Sequence, residues 1–171
     1  MINGEGDQGA AEAYPDAIGA LYGAAYSIKF AMKAENKTPD FSVMPLEGLW
    51  WADDIDDFIK RRRDRWKWTL MIAMPDFVTK TDVETAKIAA AKKKDIPAIG
   101  EVRFERFQEG PCTQIMYLGS YVEEGPTILA LHKFIANHGK RLSGLHHEIY
   151  LSDPRRTAPE KLKTVIRQPF A

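Results

Sequence analysis

The order of predicted elements constrains this chain more than any single motif, because the same order occurs twice. Ile18, Leu21, Tyr22, Ala25, Ile28 and Met32 recur at the spacing of one helical face. Pro15 suits the first turn of that helix, and Asn36-Lys37-Thr38-Pro39 marks its exit. Two apolar stretches follow, Phe41 to Trp51 and Lys67 to Met74, and both read as strands. Further along, Thr113–Leu118 reads as a strand and Pro126–His138 as a helix with Ile128, Leu131, Phe134 and Ile135 on one side. Gly139 supplies that helix's stop, and strands are expected at Leu145–Leu151 and Lys163–Gln168. Only Met1-Ile2-Asn3 precede the first glycine, so the opening strand of the first repeat is expected to be nearly absent.

This pattern implies an α+β fold of duplicated strand-helix-strand-strand units with pseudo-twofold symmetry. Residues 1–171 form a single domain in this reading, with repeat one at about 1–78 and repeat two at about 100–171. A connecting helix at about 79–97 joins them, opened by a capping pattern in Thr81-Asp82-Val83-Glu84 and closed by Pro97. Val102–Gln108 is expected to be a strand before the turn at Glu109-Gly110-Pro111. The seam between two such units is a natural ligand cleft.

Composition narrows the function classes. Twenty-four Lys and Arg balance 24 Asp and Glu across 171 residues, which argues against a chain built to coat nucleic acid or an anionic membrane. Lys60-Arg61-Arg62-Arg63-Asp64-Arg65-Trp66-Lys67 is a basic run, but the acids of Asp53-Asp54-Ile55-Asp56-Asp57 stand just ahead of it. The segment 53–63 reads as a short surface helix whose acids and bases complement its dipole. No apolar run reaches the ~20 residues of a membrane span, no signal peptide opens the chain, and the lone Cys112 fits a reducing compartment. A cytoplasmic protein is the expectation. The 8 Phe, 6 Tyr and 4 Trp either fill a core or line a cavity.

Familiar catalytic signatures are missing: no Gly-x-Ser-x-Gly, no phosphate loop, no dinucleotide fingerprint and no His-Glu-x-x-His. Nothing implies a cofactor. His146-His147-Glu148 invites a metal reading, but alternation along a strand puts His146 and Glu148 on one face and His147 on the other. Two ligands fall short of a usual zinc set, so no metal site is expected. Glu148 lies among Leu145, Ile149 and Leu151, with Tyr150 on its own face. A carboxylate turned inward needs an arginine, a hydrogen-bond network or a ligand. Either an arginine neutralises it, or it floors an aromatic pocket where it meets a cation or acts as a base. Tyr22 and Tyr26, four apart on one helix, project side by side. Trp50 and Trp51 point to opposite sheet faces, and Tyr117 and Tyr150 lie in strands of the second repeat. With His146, these rings are the candidate ligand-binding residues.

His146-His147-Glu148-Ile149-Tyr150-Leu151-Ser152-Asp153-Pro154-Arg155-Arg156 and Pro159-Glu160-Lys161-Leu162-Lys163-Thr164-Val165-Ile166-Arg167-Gln168-Pro169 resemble the stand-alone GyrI-like small-molecule-binding proteins. So do Val43-Met44-Pro45-Leu46-Glu47-Gly48-Leu49-Trp50-Trp51 and Trp66-Lys67-Trp68-Thr69-Leu70-Met71-Ile72. The resemblance implies the duplicated fold and central cleft, with Glu148 at the pocket floor and Tyr150 in its wall. It also points to hydrolases that open the strained cyclopropane of DNA-alkylating natural products. In that setting Glu148 would orient or deprotonate the attacking water, aromatics such as Trp51 and Tyr117 would hold the flat ligand, and Tyr117 or Tyr150 would donate to the developing oxyanion. A non-catalytic binder of amphipathic, often cationic, drugs is the alternative, and a protein-interaction module is a second.

Overall fold

The computed structural model describes residues 1–7, 12–35, 39–54, 57, 60, 62–93 and 95–171. Among them are three α-helices, α1 (Ala13–Glu35), α2 (Lys80–Lys93) and α3 (Gly125–Asn137). Six strands accompany them: β1 (Ile2–Glu5), β2 (Leu46–Trp51), β3 (Lys67–Ile72), β4 (Cys112–Leu118), β5 (His146–Tyr150) and β6 (Lys163–Pro169). The chain is therefore α+β, and strand, helix, strand, strand runs along it twice, as β1-α1-β2-β3 and β4-α3-β5-β6. By internal contacts it divides into two compact units. One comprises Met1–Leu46 and Ala52–Arg106, the other Glu47–Trp51 and Phe107–Ala171.

In the first unit α1 packs on α2, on β3 and on the 3-10 turn Pro97–Glu101. Small residues allow the close approach: Ala17, Ala20, Ala24 and Ala25 of α1 and Ala86 and Ala90 of α2 are all buried. The opening strand is present despite its shortness. β1 pairs antiparallel with β3, setting Ile2 opposite Leu70 and Gly4 opposite Trp68. Gly4 leaves room for the Trp68 indole, whose ring carbons lie 2.2 Å from where a β-carbon would stand. That fit explains how so short a strand holds: Ile2 and Trp68 are both almost wholly buried, and burial of such side chains contributes roughly 1.5–3 kcal/mol each.

Several boundaries differ from expectation. β2 begins at Leu46 rather than Phe41, because Pro45 has no N–H to give a ladder. Val102–Gln108 forms no strand; Val102 is buried and Arg103 N–H bonds the Met1 carbonyl at 3.0 Å, after which the segment stays irregular. The cap of α2 sits two residues early. Thr79 Oγ1 accepts from Asp82 N–H at 3.3 Å while Asp82 Oδ2 accepts from Thr79 N–H at 2.8 Å, so the box is Thr79-x-x-Asp82. Of the acid-base segment 53–63, residues 55, 56, 58, 59 and 61 lie outside the described residues, as do 36–38 at the expected exit of α1. Its described part is charge-paired: Asp57 is buried and receives Arg62 at 2.8 Å and Arg65 at 3.2 Å, and Lys67 reaches Asp53 at 2.6 Å.

In the second unit β6 is flanked by β5 and β4, both antiparallel to it, and β2 lies beside β5. The registers bring Glu148, Ile166 and Ile115 to one line across the sheet, so they share a face. Helix α3 packs on β4 and β6, burying Leu131 and Ile135. Gly139, at φ +70°, ends it, and Lys140 N–H closes the last turn on the Ile135 carbonyl at 3.2 Å.

The cap reassignment has a direct consequence. Thr79→Ala should lower stability by about 1 kcal/mol, read as a lower urea midpoint at unchanged slope, whereas Thr81→Ala at an exposed position should change it by less than about 0.5 kcal/mol.

Candidate active site

The two faces of β5 carry different polar networks. His146, Glu148 and Tyr150 alternate onto one face, and His146 and Glu148 are both buried. His146 Nε2 lies 2.9 Å from Glu148 Oε1. The neutralising partner is thus a histidine of the same strand, not the arginine that the residue count suggested. Tyr150 also bonds the Glu148 carboxylate. Its oxygen accepts from Trp50 Nε1 at 2.9 Å, which leaves the hydroxyl hydrogen for Glu148. Trp50, 2% exposed, is therefore the tryptophan on the Glu148 face. Gly48 has to be glycine for this, because a β-carbon there would fall 2.7 Å from the Trp50 indole nitrogen and 3.1 Å from the Tyr150 hydroxyl.

Two further groups reach the same spot from outside the strand. Glu124 occupies the N-cap position of α3, makes no side-chain capping bond and is buried, and it helps to lower the Glu148 carboxyl. Tyr121 packs edge-on against Tyr150, with ring centroids 5.6 Å apart. Burial, with Glu148, Glu124 and Asp153 nearby, pushes the Tyr121 hydroxyl up to about 12. Burial strongly opposes ionisation of Glu148, but the His146 bond and charge, then Tyr150 and Glu124, outweigh it and hold the carboxyl below its ordinary value of 4.5. His132 of α3 extends the network. Burial and nearby His146 push its imidazole down, against a bond to Gln168 that raises it.

Tyr117 stands apart from this group. Its hydroxyl donates to the Ser120 carbonyl at 3.0 Å, and burial with Glu123 and Glu124 nearby raises it. Tyr22 and Tyr26 do stack side by side on α1, at 6.2 Å between centroids, and Phe30 continues the row at 6.1 Å. Trp51 is half-buried. Sequence reasoning missed Glu124 and Tyr121. The only signal was an acid just before Gly125-Pro126, and an acid at a helix start ordinarily reads as a dipole partner.

On the opposite face His147 is clamped between carboxylates. Its Nε2 lies 2.9 Å from Glu47 and its Nδ1 2.9 Å from Glu109. Arg167 completes the cluster at 2.6 Å from Glu109 and donates to Cys112 Sγ at 2.9 Å. The Phe107 ring closes edge-on over the imidazole at 6.1 Å. This network ties β2, the 107–111 segment and β6 to β5, and so fixes the strand from which Glu148 projects. Among the described residues no group of three or more His, Cys, Asp and Glu is placed to hold a metal ion, and no helix is long and apolar enough to cross a membrane.

The α+β chain thus carries a buried carboxylate beside aromatic rings. The chain belongs to the GyrI-like family: the GyrI-like small molecule binding domain matches it over residues 1–171. An uncharacterized conserved protein from Listeria innocua is 41% identical, with a TM-score of 0.89, over 99% of this chain and 85% of that one. A hydrolase from the same organism is 40% identical, with a TM-score of 0.85 and the same coverage. No curated protein matches the chain.

Two outcomes follow from these networks. His147→Ala removes the ring partner of Glu47 and one of the two partners of Glu109, which keeps Arg167, and should cost about 1–3 kcal/mol, measured by denaturant unfolding. A carboxyl lowered on folding contributes stability that is complete above its unfolded value of 4.5 and is lost as pH falls through its lower folded value. Glu148→Gln should therefore flatten the acid limb of the stability curve below pH 4.5 relative to wild type; an unchanged limb would show that Glu148 is not held low.

Proposed function

We propose that this protein is a hydrolase that opens the strained cyclopropane of reactive, planar natural products, and so protects against genotoxic compounds. The observation that carries the reading is Glu148, an anion out of water that receives hydrogen bonds from His146 and Tyr150 beside the rings of Trp50 and Tyr121. Such a carboxylate is fixed in place, and it can orient a water and accept its proton. The hydrolase description of a 40% identical relative supports catalysis over simple capture.

A carboxyl held below its ordinary value is a modest base, so the substrate must contribute reactivity of its own. Relief of ring strain does that. The developing oxyanion needs a hydrogen-bond donor, and the Tyr121 hydroxyl keeps its proton throughout the neutral range. Tyr117 serves in this reading by holding Ser120 and the segment that leads to Glu124. Flat ligands would meet Trp50 and Tyr150, with His146 beside the carboxylate and Trp51 as a further aromatic contact.

The alternative is a non-catalytic binder of amphipathic cations, which the family's small-molecule-binding description supports. Against it, Glu148 is already engaged by His146 at 2.9 Å, so a cationic guest would have to share the carboxylate with an internal partner.

Wild type and Glu148→Gln should be incubated with a spirocyclopropane drug and the products followed by mass. Turnover by wild type that falls by about 10²–10⁴-fold in the variant supports the hydrolase. Turnover unchanged in a folded Glu148→Gln protein removes Glu148 as the base. Tight binding of a stable cationic dye with no turnover of reactive analogues favours the binder.

A further inference from the structure

The contacts of His147 fix how many hydrogens its neighbourhood must carry. The imidazole is 2% exposed, and both of its nitrogens face acids. Nε2 lies 2.9 Å from Glu47 Oε2, and Nδ1 lies 2.9 Å from Glu109 Oε1. A neutral imidazole has one N–H and one lone pair, and an ionised carboxylate only accepts. A neutral ring between two carboxylates would therefore set a lone pair against an anionic oxygen at hydrogen-bond distance. A second hydrogen is needed, either on the ring or on one of the two acids. Glu109 receives Arg167 on its other oxygen, at 2.6 Å, so donors hold both of its oxygens, the setting of an anion. Glu47 keeps some solvent, its side chain being 15% exposed, which eases its charge. A free imidazole is also a stronger base than a free carboxylate, by roughly a hundredfold. The ring is the place for the second hydrogen.

We infer that His147 is an imidazolium, with a hydrogen on each ring nitrogen, and that in this form it is a positioning residue for Glu148. Two charge-assisted bonds on one ring draw β2 from one side and the 107–111 segment from the other onto β5. A ring held at both nitrogens cannot turn, so the strand beneath it is held as well. The next residue along that strand is Glu148, whose carboxylate must stay within 2.9 Å of His146 Nε2 on the opposite face. With Arg167 counted, His147 makes two cations against the two anions of Glu47 and Glu109. The cluster thus grips β5 without adding net charge behind the buried carboxylate, which would otherwise feel it across a medium of low dielectric. This role concerns the site's geometry and holds whether or not the protein turns over a substrate.

Long-range proton–nitrogen correlation spectra of the full chain, labelled at histidine, distinguish an imidazolium from either neutral tautomer. Near neutral pH both nitrogens of His147 should be protonated in wild type. In Glu47→Gln the side-chain amide can itself donate to Nε2. One ring hydrogen then suffices, and His147 should become neutral with that hydrogen on Nδ1. Glu47→Ala leaves Nε2 without its partner, and solvent exchange of the His146 Nε2 hydrogen should quicken by about tenfold or more, while Glu47→Gln restores the wild-type rate. An unprotonated nitrogen on His147 in wild type overturns the imidazolium, and a doubly protonated ring that persists in Glu47→Gln overturns the second carboxylate as its cause. Both of those outcomes need only wild type and the near-isosteric variant, so they stand even if Glu47→Ala does not fold. His146 exchange that is equal in wild type and a folded Glu47→Ala protein overturns the positioning role.

Discussion

A single ionised carboxylate kept away from water is the constraint that the second unit is arranged to meet. Left alone, such a charge costs several kcal/mol after relaxation, more than most domains can lose. The solution begins in the strand itself. Because side chains alternate at a period of two, His146 and Tyr150 flank Glu148 on its own face, and both bond it. Trp50 then fixes the Tyr150 hydroxyl at 2.9 Å, and Gly48 keeps the space this needs.

The same alternation forces His147 to the other side, where it would be an equally costly buried polar group. There Glu47 and Glu109 each meet one ring nitrogen at 2.9 Å, and Arg167 balances Glu109 at 2.6 Å. One strand thus carries two networks back to back. The first holds a buried carboxylate; the second ties down the strand that carries it. Positioning to within a fraction of an ångström depends on such supporting contacts.

How much of this was legible in the sequence divides by range. Local periodicity identified β4, β5, β6, α1 and α3 within a few residues, and it put His146 and Glu148 on one face and His147 on the other. It failed where a local pattern competes with a neighbouring one. Thr81-x-x-Glu84 and Thr79-x-x-Asp82 both read as capping boxes, and geometry chose the earlier. Ile2–Glu5 is too short to register alone, and becomes a strand because Trp68 fills the space over Gly4. The partner of Glu148 stayed open between an arginine, a hydrogen-bond network and a ligand for a different reason: composition says nothing about which side chain the sheet brings within 3 Å. Glu124 and Tyr121 lie in a connecting segment whose residues look like turn and cap. Roles for Glu148 and Tyr150 came from family resemblance, which periodicity could not supply.

Holding Glu148 low also limits what the site can act on. On the proposed reading, a base whose carboxyl lies below 4.5 is a modest one, and strain released from the substrate adds to the driving force for attack by water. Chemistry becomes feasible when bond formation is concerted with release of strain and when the departing charge is protonated in the same step. The opposing demands of stability and basicity are then reconciled by the substrate rather than by the protein. On that reading, a well-held carboxylate with Tyr121 packed on Tyr150 and the Trp50 indole beside it suits a reactive electrophile.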